Sequence, residues 1–150
     1  QAEGFRFFVP GIPRPQGSKR AFKLPGGGVS MIEASKGLKD WRGDVRATAL
    51  EYAPSAPLEG PIEMRAWFYF PRPKAHYVGG KPERGLRIDR PIYVTKAPDS
   101  SKLLRGIEDA LEGIFFKNDA QLAIHHIRKL WALGRPGATI MIRPIKDDTQ

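Results

Sequence analysis

Lys96-Ala97-Pro98-Asp99-Ser100-Ser101-Lys102-Leu103-Leu104-Arg105-Gly106-Ile107-Glu108-Asp109-Ala110-Leu111 is followed a few residues later by Asn118-Asp119-Ala120-Gln121. Asp99 stands where a helix begins. Leu104, Ile107 and Leu111 then mark one side at helical spacing, while Ser101, Arg105, Asp109 and Glu112 run at i, i+4, i+8 and i+11 along another. Gly113 is expected to cap the helix. After Asp119, Leu122 to Leu133 has the length and β-branched content of a strand. A helix followed by a strand, each opened by an Asp, is the centre of the fold.

Working outward, Phe5 to Val9 reads as a first strand stopped by the Pro10-Gly11-Ile12-Pro13-Arg14-Pro15 cluster. Gln16-Gly17-Ser18-Lys19-Arg20 reads as a basic loop. Ala21 to Leu24 and Val29 to Ile32 flank Pro25-Gly26-Gly27-Gly28 and suggest a hairpin. The glycines lack the spacing of a phosphate loop and read as a turn. Leu38, Trp41, Val45, Ala49 and Tyr52 fall at helical spacing, with Ser35 as a cap and Pro54 as the stop. Ile62 to Phe70 reads as a strand covered on both sides at one end. Ala138 to Arg143 is the last strand, after the Gly134-Arg135-Pro136-Gly137 turn.

Between Pro71 and Pro98 lies a long, proline-rich segment. It holds Arg72, Lys74, Lys81, Arg84, Arg87, Arg90 and Lys96 against only Glu83 and Asp89. A loop this long is functional or disordered, and its charge favours an arm that tracks a nucleic-acid strand. The expected fold is one α+β domain spanning 1–150: a mixed sheet of about four main strands packed against two helices, with this basic loop extending from it.

The whole chain has the same bias. It has 150 residues and a net charge of +9, with Lys and Arg at 25 against 16 Asp and Glu. Such a charge on a small domain points to a polyanionic partner, most often nucleic acid. No cysteine is present, which excludes disulfides, thiolate nucleophiles and zinc–cysteine sites. No apolar run reaches the roughly 18 residues of a membrane span. Without a signal-peptide pattern at Gln1-Ala2-Glu3-Gly4, the default compartment is cytoplasmic.

Against this basic background, clustered carboxylates stand out. Acidic pockets within basic surfaces usually hold a metal ion, and the contrast suggests a nuclease. Phosphodiester hydrolysis needs an activated water, charge neutralisation and help for the leaving oxygen, all of which magnesium supplies through a few carboxylates and waters. Asp119 could pack back against the helix start, near Asp99. Asp109 lies two to three turns further along, too far to share an ion with Asp99 unless another element bridges them. Lys102 and Arg105 could contact the scissile phosphate. Each residue also has a plainer reading: Asp99 as a helix cap, Asp119 as a turn residue, Arg105 and Asp109 as an exposed i,i+4 pair. His125 and His126 are adjacent on a strand and point to opposite faces, so they cannot easily chelate one ion, though one of them could face the acidic site.

The block from Lys96 to Lys129 resembles the RusA family of Holliday-junction resolvases and RusA-like phage endonucleases. The resemblance rests on Asp99, Lys102, Leu103, Arg105, Asp109-Ala110-Leu111, Asp119-Ala120-Gln121 and Lys129, with a looser likeness in Val9 to Pro13 and Gln16 to Arg20. It implies a magnesium-dependent homodimer, with manganese as a substitute, that nicks opposed strands of branched DNA in a bacterial or phage-infected cell. Asp99 and Asp119 correspond to metal carboxylates. A third is expected two residues after Asp99, where this chain has Ser101, and Asn118 replaces the first Asp of the usual Asp-Asp pair. Both changes remove negative charge.

The expected roles follow. Asp99, Asp119 and Ser101 hold the metal; Arg105 and Lys102 meet the scissile phosphate. Lys19, Arg20, Arg72, Lys74, Lys81, Arg84, Arg87, Lys96 and Lys129 contact DNA. One alternative is a junction-binding protein on the same scaffold that does not cut. Another is a single-strand or RNA-binding module that stacks bases on Trp67, Tyr69 and Tyr77.

Overall fold

The computed structural model describes residues 4–16, 19–23, 29–33 and 38–146, with backbone alone for 19–23, 29–33, 38 and 39. Six strands and two α-helices appear in chain order: β1 (Phe5–Pro10), β2 (Lys19–Lys23), β3 (Val29–Glu33), α1 (Leu38–Tyr52), β4 (Ile62–Phe70), α2 (Ser100–Leu111), β5 (Leu122–Trp131) and β6 (Gly137–Pro144). Four of the strands form one mixed sheet in the order β1-β6-β4-β5. β6 runs antiparallel to both β1 and β4, and β5 runs parallel to β4. A parallel pair cannot be closed by a tight turn. The connection from β4 to β5 is therefore long, and α2 lies within it.

Alternation along β4 fixes which face is covered. Ile62, Met64, Ala66, Phe68 and Phe70 are buried, while Arg65, Trp67 and Tyr69 on the other face are partly exposed. α1 contributes Trp41, Val45 and Ala49 to the core, and α2 contributes Leu103, Ile107, Ala110 and Leu111. Apolar burial of this kind, at about 25 cal/mol per Å², is the main force holding both helices on one face of the sheet. Gly113 has φ 87° and follows the α2 C-cap, where a left-handed residue ends a helix without a Cβ penalty. Gly137 opens β6 directly against the Val9 carbonyl, and any side chain there would collide with it.

The predicted α+β fold with a four-stranded mixed sheet and two helices is the observed one. β2 and β3 form the expected hairpin, and Lys19 and Arg20 lie within β2 rather than in a loop. The Pro25-to-Gly28 turn, Gly17-Ser18, the Ser35 cap and the polar tail from 147 lie outside the described residues, as do the side chains of Lys19 and Arg20.

The segment 71–98 differs from a simple basic arm. It contains one-turn 3-10 helices at Lys74–His76, Val78–Gly80 and Pro82–Arg84. The Val78 amide donates to the Gly85 carbonyl, and the Arg87 amide donates to the His76 carbonyl. Further on, the Val94 amide donates to Lys129 and the Trp131 amide donates to Ile92, so residues 92–94 cover the end of the β5 edge. Pairing that edge satisfies backbone groups that would otherwise template association.

Candidate nuclease site

The approach to α2 is held from below. Lys129 on β5 donates from Nζ to the carbonyls of Lys96 at 2.9 Å and Pro98 at 2.8 Å. Its sequence reading was a DNA contact; its position makes it a strut that fixes the chain immediately before Asp99. The Ala97–Pro98 peptide is cis. Asp99 occupies the N-cap of α2, and its carbonyl accepts from the Leu103 amide at 3.1 Å. Its side chain makes no capping bond. The plain cap reading therefore does not account for the carboxylate, which is left exposed.

Asp119 is presented in a similar way by its neighbours. Asn118 Oδ1 accepts from the Ala120 amide at 2.8 Å, and Gln121 Oε1 accepts from the amides of Lys117 and Asn118 at 3.0 and 3.1 Å. Gln121 Nε2 then donates to the carbonyls of Leu58 and Gly60. This capping box orders the one-turn helix Asp119–Gln121 without using the Asp119 carboxylate. An Asp at 118 would cap as well as Asn does. The replacement at 118 thus removes charge and keeps geometry.

Along α2 the two sides differ. Asp109 pairs with Arg42 of α1 at 3.5 Å, and no bond joins it to Arg105, so the expected i,i+4 pair does not form. Glu108 faces β5, where His125 Nε2 lies 3.2 Å from its Oε2. Burial pushes the Glu108 carboxyl above its usual range; His125 pulls it back, and the carboxylates of Asp119 and Asp109 push it up again. Asp119 is therefore electrostatically joined to the Glu108 part of α2. Asp99 lies nine residues before Glu108, about 13 Å of helix rise away.

Among the described residues, Asp99, Ser101, Lys102, Arg105 and Asp119 have no side-chain hydrogen bond or ion pair. Asp99 and Lys102 border an open groove of about 430 Å³ with Pro13, Arg14, Phe70 and Pro98. A larger cavity of about 650 Å³ lies elsewhere, between Tyr69, Trp131 and Arg135.

No group of three or more His, Cys, Asp or Glu side chains among the described residues is gathered as a metal cage would require. Magnesium needs less, because it binds through one or two carboxylates plus waters and substrate phosphate. The exposed, unpartnered oxygens of Asp99 and Asp119 are of that kind, and the Ser101 hydroxyl adds a neutral one. These oxygens fit magnesium in kind, but Asp119 sits toward Glu108 and Asp99 at the start of α2, so the helix alone does not bring the two carboxylates to one ion.

The expected DNA contacts separate into two groups. Arg72 donates to the carbonyls of Ala132, Trp131 and Pro91, which makes it a structural tie. Lys96 Nζ sits 5.5 Å from the Trp131 ring centroid, and Arg87 is paired with Asp89 at 2.9 Å. Lys74, Lys81 and Arg84 are exposed and have no side-chain hydrogen bond or ion pair among the described residues. Sequence reasoning missed the Lys129 strut, the Gln121 brace and the Glu108–His125 pair. The i, i+7 step from Ser101 to Glu108 was the one available signal for the last.

The family model described as "Endodeoxyribonuclease RusA" matches residues 10–143. The chain belongs to the RusA endodeoxyribonuclease family. It is also 30% identical over 144 residues to the uncharacterized protein YqaN of Bacillus subtilis (strain 168), covering 93% of this chain and 96% of that protein. No helix among the described residues is long and apolar enough to cross a membrane.

Proposed function

We propose that this protein is a magnesium-dependent endonuclease that nicks branched DNA, with four-way junctions as its substrate class. The observation that carries the reading is the pair of exposed carboxylates, Asp99 and Asp119, carried on braced backbone and without side-chain partners among the described residues. Oxygens presented at the start of a helix and of a turn, in a chain of net charge +9, can bind a cation that a phosphate also contacts.

Asp99, Asp119 and the Ser101 hydroxyl would hold the ion, which requires Asp119, placed toward Glu108, and Asp99, at the start of α2, to close on one metal as it binds. Once bound, magnesium or manganese supplies charge neutralisation at the phosphate and a more acidic water. The protein's own contribution is positioning. Lys129 fixes the backbone that carries Asp99, and Gln121 fixes the turn that carries Asp119. Arg105, one turn beyond Ser101 on the same helix face, is free to bind the scissile phosphate and to stabilise charge as it develops. Lys102 lies beside Asp99 in the groove and offers a second cation.

Lys74, Lys81 and Arg84, with Lys19 and Arg20 of β2, neutralise phosphates along the arms, so affinity falls steeply with salt. Two copies related by a twofold axis would present equivalent sites to the opposed strands of a symmetric junction. Ser101 also supports a second reading, in which the protein binds junctions and does not cut them, because a hydroxyl attracts a dication less than a carboxylate does.

The test is to incubate an end-labelled four-way junction and a linear duplex of the same sequence with the protein and magnesium or manganese. Paired nicks near the branch point, absent from the duplex, are expected. Junction binding with no nick in either metal would leave the binding-only reading. In that event Ser101→Asp decides whether missing metal charge is the cause.

A further inference from the structure

The nuclease reading leaves one built feature without a task, the Glu108–His125 pair. Ser101, Arg105 and Glu108 follow one another at steps of four and three, so they share a face of α2. That is the face proposed to meet the metal and the scissile phosphate. His125 reaches the Glu108 end of this face from β5. Its register partner on β4, Met64, is buried on the helix-covered side of the sheet, so the imidazole points toward α2.

The pair has the geometry of an oriented base. Glu108 Oε2 lies 3.2 Å from His125 Nε2, and the two side chains are 15% and 32% exposed. A carboxylate at Nε2 favours the tautomer with the proton on that nitrogen, which leaves the Nδ1 lone pair as an acceptor. Meanwhile the stripe has a hydroxyl at Ser101, and a serine hydroxyl does not take a proton near neutral pH. The stripe thus lacks a proton acceptor at Ser101 and has one at the Glu108–His125 pair, seven residues or about 10 Å of rise further along the same face, where Asp119 also acts.

We propose that His125, oriented by Glu108, is the general base for phosphodiester hydrolysis, a role that rests on the nuclease reading. In the step, the water oxygen bonds to phosphorus as the bridging phosphorus–oxygen bond to the leaving strand breaks. The proton from the attacking water passes to Nδ1 of His125, giving an imidazolium that the Glu108 carboxylate stabilises. The leaving oxygen takes a proton from solvent, and the imidazolium returns one to solvent, so one water is consumed in total. The charged and titratable groups around the pair are Asp109 with its partner Arg42, Asp119 and Arg105; Lys129 lies further along the same face of β5, and His126 points to the opposite face toward Glu63.

The test compares wild type, His125→Asn and Glu108→Gln for junction nicking across pH, with junction affinity measured alongside. Wild-type nicking is expected to rise with pH. His125→Asn is expected to lose about 100-fold in rate and to lose that rise, with affinity unchanged within about twofold. Glu108→Gln keeps the imidazole and loses its counter-charge, so an intermediate loss of about tenfold is expected. In the DNA-free protein, carbon NMR should show the Glu108 carboxyl titrating at higher pH in His125→Asn than in wild type, because His125 holds it down. A His125→Asn protein with the wild-type rate and pH profile overturns the base. Wild type that fails to nick any branched DNA overturns the nuclease reading itself, whatever the NMR result.

Discussion

His125 and His126 are neighbours in β5, each facing a glutamate, yet their surroundings are opposite. On the open face of the sheet, Glu63 is 4% exposed and held by Arg65 and Arg143, each at 2.7 Å, with His126 at 3.5 Å. Its cations outnumber it. The hydrogen bond from Arg65 outweighs burial, Arg143 adds to it, and the Glu63 carboxyl titrates below its usual range. On the helix side, Glu108 has one imidazole as partner and two further carboxylates nearby, and it titrates above the usual range. An acid surrounded by cations belongs to the scaffold. An acid short of them is pushed toward its neutral form.

That contrast can be broken in steps. Replacing Glu63 should do the most damage to stability. Glu63→Ala leaves two arginines without their shared partner; because those arginines are 41% and 56% exposed, solvent recovers part of the loss. A cost of about 2 kcal/mol is expected, seen as a drop of about 5 °C in Tm by calorimetry. Nicking at a temperature where the variant is folded should survive.

Next in size is Lys129→Met, which removes both bonds to the Lys96 and Pro98 carbonyls. A loss of about 1–2 kcal/mol in urea unfolding is expected. Because Asp99 follows directly, nicking should fall about tenfold with little change in junction affinity. A Lys129→Met protein that weakens binding and spares the nicking rate would return Lys129 to the set of DNA contacts.

Glu108→Gln should have the opposite sign from Glu63→Ala. A raised carboxyl pKa means that the fold disfavours the ionised form, so Glu108 favours folding more as pH falls through its raised value. Glu63 works the other way. Its contribution is full above the unfolded carboxylate range and is lost as pH falls through its lowered value. Glu108→Gln is therefore expected to leave stability at neutral pH unchanged or slightly higher, by under about 1 kcal/mol. Thermal scans of both variants from pH 3 to 8 check the two signs together.

The smallest effect belongs to Arg87→Ala. Arg87 is exposed and paired with Asp89 at 2.9 Å, so at most about one unit of the salt slope for junction binding should be lost. Lys81→Ala, with no side-chain partner among the described residues, should lose at least as much.

Much of the fold was legible because the strongest signals were local. The alternation of Ile62 to Phe70, the helical spacing from Leu38 to Tyr52 and the Asp99-to-Leu111 run fall where the structure has β4, α1 and α2. The segment 71–98 was harder. Its one-turn helices carry no periodicity, and two of the three carbonyl ties made by Arg72 reach more than fifty residues away in sequence. For the candidate site, Asp99 and Asp119 could be read from their positions at the starts of a helix and a turn. Asn118 was read as missing charge, whereas its cap depends on the geometry of the turn it closes. The Glu108–His125 pair depends on how α2 lies across β5; the i, i+7 step from Ser101 puts Glu108 on the candidate face, but no spacing brings His125 to it.

The most direct test of the site follows one protein preparation with one substitution. Asp119→Asn keeps the size of the side chain and leaves the Asn118–Gln121 brace in place, so the fold and the basic surface should be unaffected. With a labelled four-way junction and magnesium, the variant is expected to bind with wild-type affinity and to nick roughly 1,000-fold more slowly, in line with losing several kcal/mol of metal-borne stabilisation. Equal nicking by wild type and Asp119→Asn would contradict the assignment of hydrolysis to this site.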